Sequence, residues 1–345
     1  MNKLPFGLGR RSTRGHVRRV KRNSIPWWLV AFIGVIGLLA VLALLGIFAG
    51  DDEDEQSVTY HNRTWLDSTW TTNQPSRAQI ESLAERLDEH NIDMIYVETG
   101  AWLENGTYRG QEFAEEFRQM MAAIAPDVRV LVWVWARDKE FNDTSAHTNL
   151  QDYLKIALGE WGYDGVQMQG ISVNGGNTNY VEMVRAVDTI VDDHNGFLSI
   201  TVPPDHQPSD PDVPLSIGNP AVSWSPRYKQ QIGLIVDEMV IMAHSSGLKK
   251  ADEYEEWMAY QIATYASDIQ RVNDAVQLIV VLPAYPPEGA HMVDVENVET
   301  AITATRRGLN AAGSARRMIR GAGMYTYETA STQDWAYFKE HWVER

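Results

Sequence analysis

Carboxylates and large aromatic rings recur together at separate points of the chain: Asp67 with Trp70; Glu98 with Trp102 and Glu104; Trp133 and Trp135 with Arg137 and Asp138; Tyr285 with Glu288; Tyr325 and Tyr327 with Glu328. Gln167, Gln169, Asp205, His206 and His244 add polar groups between them. Flat rings suit the C–H faces of sugars, and amides and carboxylates suit their hydroxyls, so the chemistry this set could perform is glycan recognition. Two suitably spaced carboxylates could also act as acid and base in glycoside hydrolysis, with Asp67, Glu98, Asp205 and Glu328 as the candidates. Any single Trp is more simply explained by core packing; the clustering is what points to a site.

Other chemistries find little support. The chain has no cysteine, hence no thiolate nucleophile, thiolate metal site or disulfide. His206, His244 and His291 stand apart without His-x-His or His-Glu-x-x-His spacing, and no Gly-x-Ser-x-Gly elbow occurs, so neither a metal nor a cofactor is expected.

The elements that must position these residues form one repeating pattern: a short apolar or β-branched run, a turn, then an amphipathic segment. Strands are expected at 64–70, 93–102, 128–137, 164–172, 197–202, 238–244, 276–285 and 321–327. The intervening helices are expected at 77–90, 111–125, 150–160, 179–193, 252–274, 298–311 and 334–342, with a weaker one at 227–236 after a Pro-rich insertion at 203–226. Ser76 and Thr332 read as start signals of the first and last helices. Eight strands alternating with helices predict an α/β fold, a (β/α)8 TIM barrel, over an open doubly wound sheet, because no glycine-rich phosphate loop follows the first strand. Such a barrel carries its site at the C-terminal ends of the strands, where the residues above fall.

Residues 25–50 contain no charge and are long enough to cross a bilayer core. Eight basic and no acidic residues precede them, and Asp51-Asp52-Glu53-Asp54-Glu55 follows, which predicts a cytoplasmic N-terminus. The expected organisation is a basic cytoplasmic leader at 1–24, a single transmembrane helix at 25–50 acting as an uncleaved signal anchor, an acidic stalk at 51–60 and an extracytoplasmic barrel at 61–345. A cleaved signal peptide is the rival reading, but its apolar part is usually about 7–15 residues. All 46 acidic residues and only 22 of the 30 basic ones lie beyond residue 50, leaving a formal charge of about −24 there. That charge disfavours nucleic acid and anionic lipid headgroups and serves solubility. Sequons at Asn62, Asn105 and Asn142 matter only if the host glycosylates exported proteins.

The fourth expected strand reads Tyr163-Asp164-Gly165-Val166-Gln167-Met168-Gln169-Gly170-Ile171 and resembles the family 18 glycoside hydrolases, the chitinase-like barrels, whose strand reads Asp-Gly-x-Asp-x-Asp-x-Glu. Asp164 and Gly165 match. Gln167 and Gln169 stand where the two later aspartates would be, and Ile171 replaces the glutamate that acts as general acid. Met242-Ala243-His244 resembles the family's Met-x-Tyr, whose tyrosine helps hold an N-acetyl group, and Leu282–Tyr285 and Gly321–Tyr325 resemble its seventh and eighth strand ends. The family mechanism is substrate-assisted: the glutamate protonates the leaving oxygen while the acetamido group attacks. Isoleucine has no proton to give, and an amide cannot offset developing positive charge, so the resemblance implies the fold without that mechanism.

Three readings follow. The first is a catalytically inactive glycan-binding protein using Trp70, Trp102, Trp133, Trp135, Gln167, Gln169, His244, Tyr285, Tyr325 and Tyr327. The second is a glycosidase with relocated carboxylates. The third is an ectodomain docking on another membrane protein through the loop Asn174-Gly175-Gly176-Asn177 or the insertion.

Overall fold

The computed structural model describes residues 60–344. The expected leader, transmembrane span and most of the stalk lie outside them, and among the described residues no helix is long and apolar enough to cross a membrane. Eight parallel strands close into a barrel: β1 (Asn62–Leu66), β2 (Ile92–Glu98), β5 (Arg129–Ala136), β6 (Gly165–Gly170), β7 (Phe197–Val202), β8 (Glu238–Ile241), β9 (Gln277–Pro283) and β10 (Ile319–Tyr325). Two short strands, β3 (Gly100–Trp102) and β4 (Tyr108–Gly110), form an antiparallel hairpin beyond β2. Each strand pairs with its sequence neighbours in the barrel, and β1 closes on β10 through Arg63 opposite Gly323 and Thr64 opposite Met324.

Alternation along the strands builds two apolar layers. On β2, Ile95 and Val97 face the surrounding helices, while Met94 and Tyr96 join Trp65, Leu131, Trp133, Val240, Ile279 and Val281 inside the barrel. The floor of that interior is polar. Arg63 and Glu238, both buried, pair at 3.1 Å, and Glu238 also accepts from Tyr96 and from Ser199 at 2.8 Å. The helices reach the barrel with apolar stripes. In Arg77–Glu89 the buried residues are Ile80, Leu83 and Leu87, at helical spacing, and a capping box between Ser76 and Gln79 starts the helix.

Several expected boundaries move for local reasons. The first strand ends at Leu66, not Trp70, because the Asp67 side chain accepts from the Thr69 backbone at 2.9 Å and turns the chain into a short helix, Thr69–Thr72. The second expected strand breaks at Glu98, and its remainder becomes the hairpin around Asn105-Gly106, where Gly106 takes φ +77°. Strand β8 stops at Ile241 rather than His244, and the weak helix runs over Pro226–Gly233 rather than 227–236. The last helix is capped by Ser331, not Thr332: Ser331 Oγ accepts from the Asp334 backbone at 3.1 Å.

Candidate functional site

The two positions that match the family 18 pattern sit at the foot of β6 and do structural work. Asp164 accepts from the Val130 backbone at 2.8 Å and pairs with Arg118 at 3.2 Å, fastening β6 to β5. Gly165 has φ +155°, and a Cβ there would come within 2.0 Å of the Phe197 carbonyl oxygen, so the approach of β7 requires glycine.

Farther along the same strand the side chains of Gln167, Gln169 and Ile171 share one parity. Gln167 is fully buried and its Oε1 has no partner; Gln169 is partly buried; Ile171 is 37% exposed. Ile171 lies just past the strand, but its backbone N–H donates to the Ala136 carbonyl at 2.9 Å, so the pairing with β5 continues and keeps it in phase. Trp133 Nε1 donates to Gln169 Oε1 at 3.1 Å.

Tyr325, at the end of β10, is the hub of an aromatic group drawn from strands β1 and β5 and from the loops after β8 and β9. Its ring centroid lies 5.2 Å from Trp65, 6.3 Å from Trp133, 5.8 Å from His244 and 5.7 Å from Tyr285. His244 Nδ1 lies 2.7 Å from the Tyr285 hydroxyl, which lies 2.9 Å from Ser245 Oγ. Both hydroxyl hydrogens are used if Ser245 donates to Tyr285 and Tyr285 donates to Nδ1, which leaves the imidazole hydrogen on Nε2. Nε2 is buried and has no partner in the protein. Burial pulls the His244 pKa down to about 4, against the opposing pull of Glu296, so the ring is neutral at physiological pH.

A second layer fixes these groups. Glu296, fully buried, accepts from the Ser245 and Ser246 backbones at 2.6 and 2.8 Å, from Ser246 Oγ, and from His291 Nδ1 at 3.0 Å. His291 Nε2 meets the Tyr285 carbonyl at 3.1 Å, and its ring stacks on Tyr285 at 4.0 Å. The loops after β8 and β9 are thereby clasped together. Between the β9 and β10 loops lies a cavity of about 520 Å³ lined by Pro283, Tyr285, Val293, Glu296, Thr329 and Asp334.

The four candidate carboxylates divide. Asp67, Glu98 and Glu328 stand at the neighbouring ends of β1, β2 and β10. Glu328 Oε1 accepts from Trp70 Nε1 at 2.7 Å and from the Asp67 backbone at 3.2 Å. Glu98 lies 3.4 Å from Trp135 Nε1, and Trp102 Nε1 donates to the Trp135 carbonyl at 2.6 Å. Desolvation raises the pKa of both Glu98 and Glu328, and the charge of Asp67 adds to each shift. Asp205 does not join them. Its backbone is held by Gln261 and Trp257 of the helix Ala251–Gln270, and its charge is felt by His206, Lys229 and Tyr265.

The expected ligand-binding set also divides. Gln169, Tyr325, His244 and Tyr285 converge at the mouth, with Trp133 packed beneath them at only 8% exposure. Trp135 and Trp102 belong with Glu98, and the Arg137 guanidinium covers Trp135 at 4.8 Å. Tyr327 belongs to an outer cluster with Trp70 and Trp335, each 5.8 Å away, instead of bordering Gln169. His206 bonds Ser216 within the insertion, apart from the pair His244 and His291. Glu296, Ser245 and Ser246 carry no sequence signal; they matter through contacts between loops some 50 residues apart.

No protein-family model matches the chain, and no curated protein matches it. Solved structures do resemble it. The Bacillus megaterium QM B1551 spore cortex-lytic enzyme SleL superposes with a TM-score of 0.55 at 8% identity, over 82% of this chain and 74% of that one. A chitinase from Chromobacterium violaceum ATCC 12472 gives 0.54 at 14% identity, over 83% of this chain and 100% of that one. A family 18 chitinase variant from Cycas revoluta, solved in complex with (GlcNAc)4, gives 0.55 at 13% identity, over 81% and 97%. At such identities the likeness speaks for architecture: this chain folds as a TIM barrel of the kind found in family 18 glycoside hydrolases.

Proposed function

We propose that the protein is a membrane-anchored, extracytoplasmic glycan-binding barrel that has lost hydrolysis by the family 18 mechanism. The observation that carries this reading is the β6 line: a strand in phase through residue 171 presents Gln167, Gln169 and an exposed Ile171 where three carboxyl groups would be needed. Neutral amides hydrogen-bond hydroxyls and carbonyls but neither give up a proton nor balance developing positive charge. Above them, Tyr325 offers a partly exposed ring, and the neutral imidazole of His244 packs beside it. The neighbour solved with (GlcNAc)4 supports that ligand class. Calorimetric titration of the full chain with N-acetylglucosamine oligomers and peptidoglycan fragments tests it: binding without turnover is expected, and no heat with any glycan removes the reading. Protease shaving of intact cells, expected to release the barrel, tests the anchoring.

One observation favours a second reading, a glycosidase with relocated acids. The charge of Asp67 reaches both Glu98 and Glu328, and these two are held toward their protonated forms beside Trp135 and Trp70 respectively. Hydrolysis of an aryl glycoside that disappears in both Glu98→Gln and Glu328→Gln would replace the first reading with this one.

A further inference from the structure

The glycan reading, on which this inference rests, leaves open what the sugar is attached to. Along β6 the line of side chains changes character as it leaves the barrel, from the buried amide of Gln167 through Gln169 to the exposed hydrocarbon of Ile171. A ligand lying on that line meets hydrogen-bonding groups with its inner end and an aliphatic surface with its outer end.

The rest of the rim has the same character. Eight large apolar side chains stand exposed among the described residues, and five of them, Leu103, Ile171, Leu215, Ile217 and Val293, lie on segments that leave the C-terminal ends of strands. Leu215 and Ile217, 64% and 68% exposed, belong to the insertion at 203–226. That insertion is fixed in place. The Ile217 backbone donates to the Ser246 carbonyl at 2.8 Å, and its side chain packs so closely on Gly247 that a Cβ there would come within 2.3 Å of it. At its other end Gly175 donates to the Ala221 carbonyl at 3.0 Å and Trp224 Nε1 donates to the Val173 carbonyl at 3.2 Å. The insertion therefore bridges the loop that begins at Ile171 and the loop that follows His244. Isolated exposed aliphatics are ordinary, but their concentration on the face holding the site marks apolar contact.

We propose that the ligand is an amphiphilic glycoside: an uncharged sugar head received by Gln169 and Tyr325, carrying an aliphatic aglycone that lies over Ile171, Leu215 and Ile217. An aliphatic aglycone, rather than a protein partner, follows from continuity: the hydrocarbon begins two residues beyond Gln169 on one line of side chains. The test is titration of the full chain in lipid nanodiscs, with empty nanodiscs as blank, using methyl, butyl and hexyl N-acetylglucosaminides below their micelle-forming concentrations. Affinity is expected to rise about two- to fourfold per added methylene. In the Leu215→Ser, Ile217→Ser double variant that dependence should flatten while the methyl glycoside binds as before. Equal affinity for all three glycosides overturns this inference and leaves the glycan reading standing, whereas binding of none removes both. A chain-length dependence that survives in the double variant also overturns it, because the aglycone would then lie elsewhere.

Discussion

Trp133 and Gln169 face each other across β5 and β6, with the indole Nε1 donating to the amide oxygen at 3.1 Å. The bond ties the amide to a ring that is itself packed among Trp65, Tyr96 and Leu131, so Gln169 is held as an oriented neutral group. A carboxylate at this position would accept the same indole hydrogen but would carry charge into a largely apolar surround.

Acids supplied at positions 169 and 171 should produce turnover only in combination. Ile171→Glu alone is expected to leave hydrolysis of an aryl chitobioside at background, because no charge balances the transition state. With Gln169→Asp added, the rate should rise about 10²–10⁴-fold over the unmodified protein, the usual yield of general acid catalysis. Fluorogenic release at pH 5–6 measures it. A single variant as active as the double would show that Gln169 does not limit the chemistry.

Tyr285→Phe removes the hydroxyl that lies 2.7 Å from His244 Nδ1, and with it the hydrogen bond that holds the imidazole in place. Affinity for N-acetylglucosamine oligomers should fall about three- to tenfold, the cost of about one hydrogen bond, while the melting temperature changes little. Calorimetry and thermal scanning together check this, since a large loss of stability would make the contact structural.

Acidification should weaken the fold through His244. Its pKa is about 4 in the folded chain against 6.5 as the ordinary value, so between those limits the unfolded chain binds more protons and stability falls as pH drops, by at most about 1.4 kcal/mol per pH unit. Glu296, held below the ordinary glutamate value, adds a loss at lower pH; Glu98 and Glu328, held above it, act in the opposite sense. Urea unfolding at pH 7, 6, 5 and 4 should therefore show a shallower slope in His244→Gln than in the unmodified protein. Identical slopes would remove His244 as the cause.

The buried Arg63 and Glu238 pair should tolerate joint replacement better than either single one. Glu238→Gln leaves a guanidinium buried without its main counter-charge and should cost about 3–5 kcal/mol, whereas Arg63→Met with Glu238→Leu should cost clearly less. Denaturant midpoints of the two variants and the unmodified protein decide it.

Much of the architecture was legible from the chain alone. Period-2 runs alternating with period-3.6 segments fixed eight strands and a closed barrel, because each local pattern agrees with burial on both sides of a parallel sheet. The alternation on β6 was equally local, so Gln167, Gln169 and Ile171 could be placed on one line from parity. The ends of the elements were harder to read, as with Asp67 and Ser331, because a single side-chain hydrogen bond to the backbone decides them.

The grouping of the site belonged to the tertiary structure. Nothing in the order of residues says that Tyr325 gathers Trp65, Trp133, His244 and Tyr285 while Tyr327, two positions on, turns outward to Trp70 and Trp335. Nor does it say that Glu296 clasps Ser245 and His291, or that Asp205 stands away from the other three acids. The physical reason is range. Periodicity and capping are set by neighbours within a few positions, whereas contacts between loops 50 or more residues apart depend on how the barrel closes and which side chains then compete for the same space.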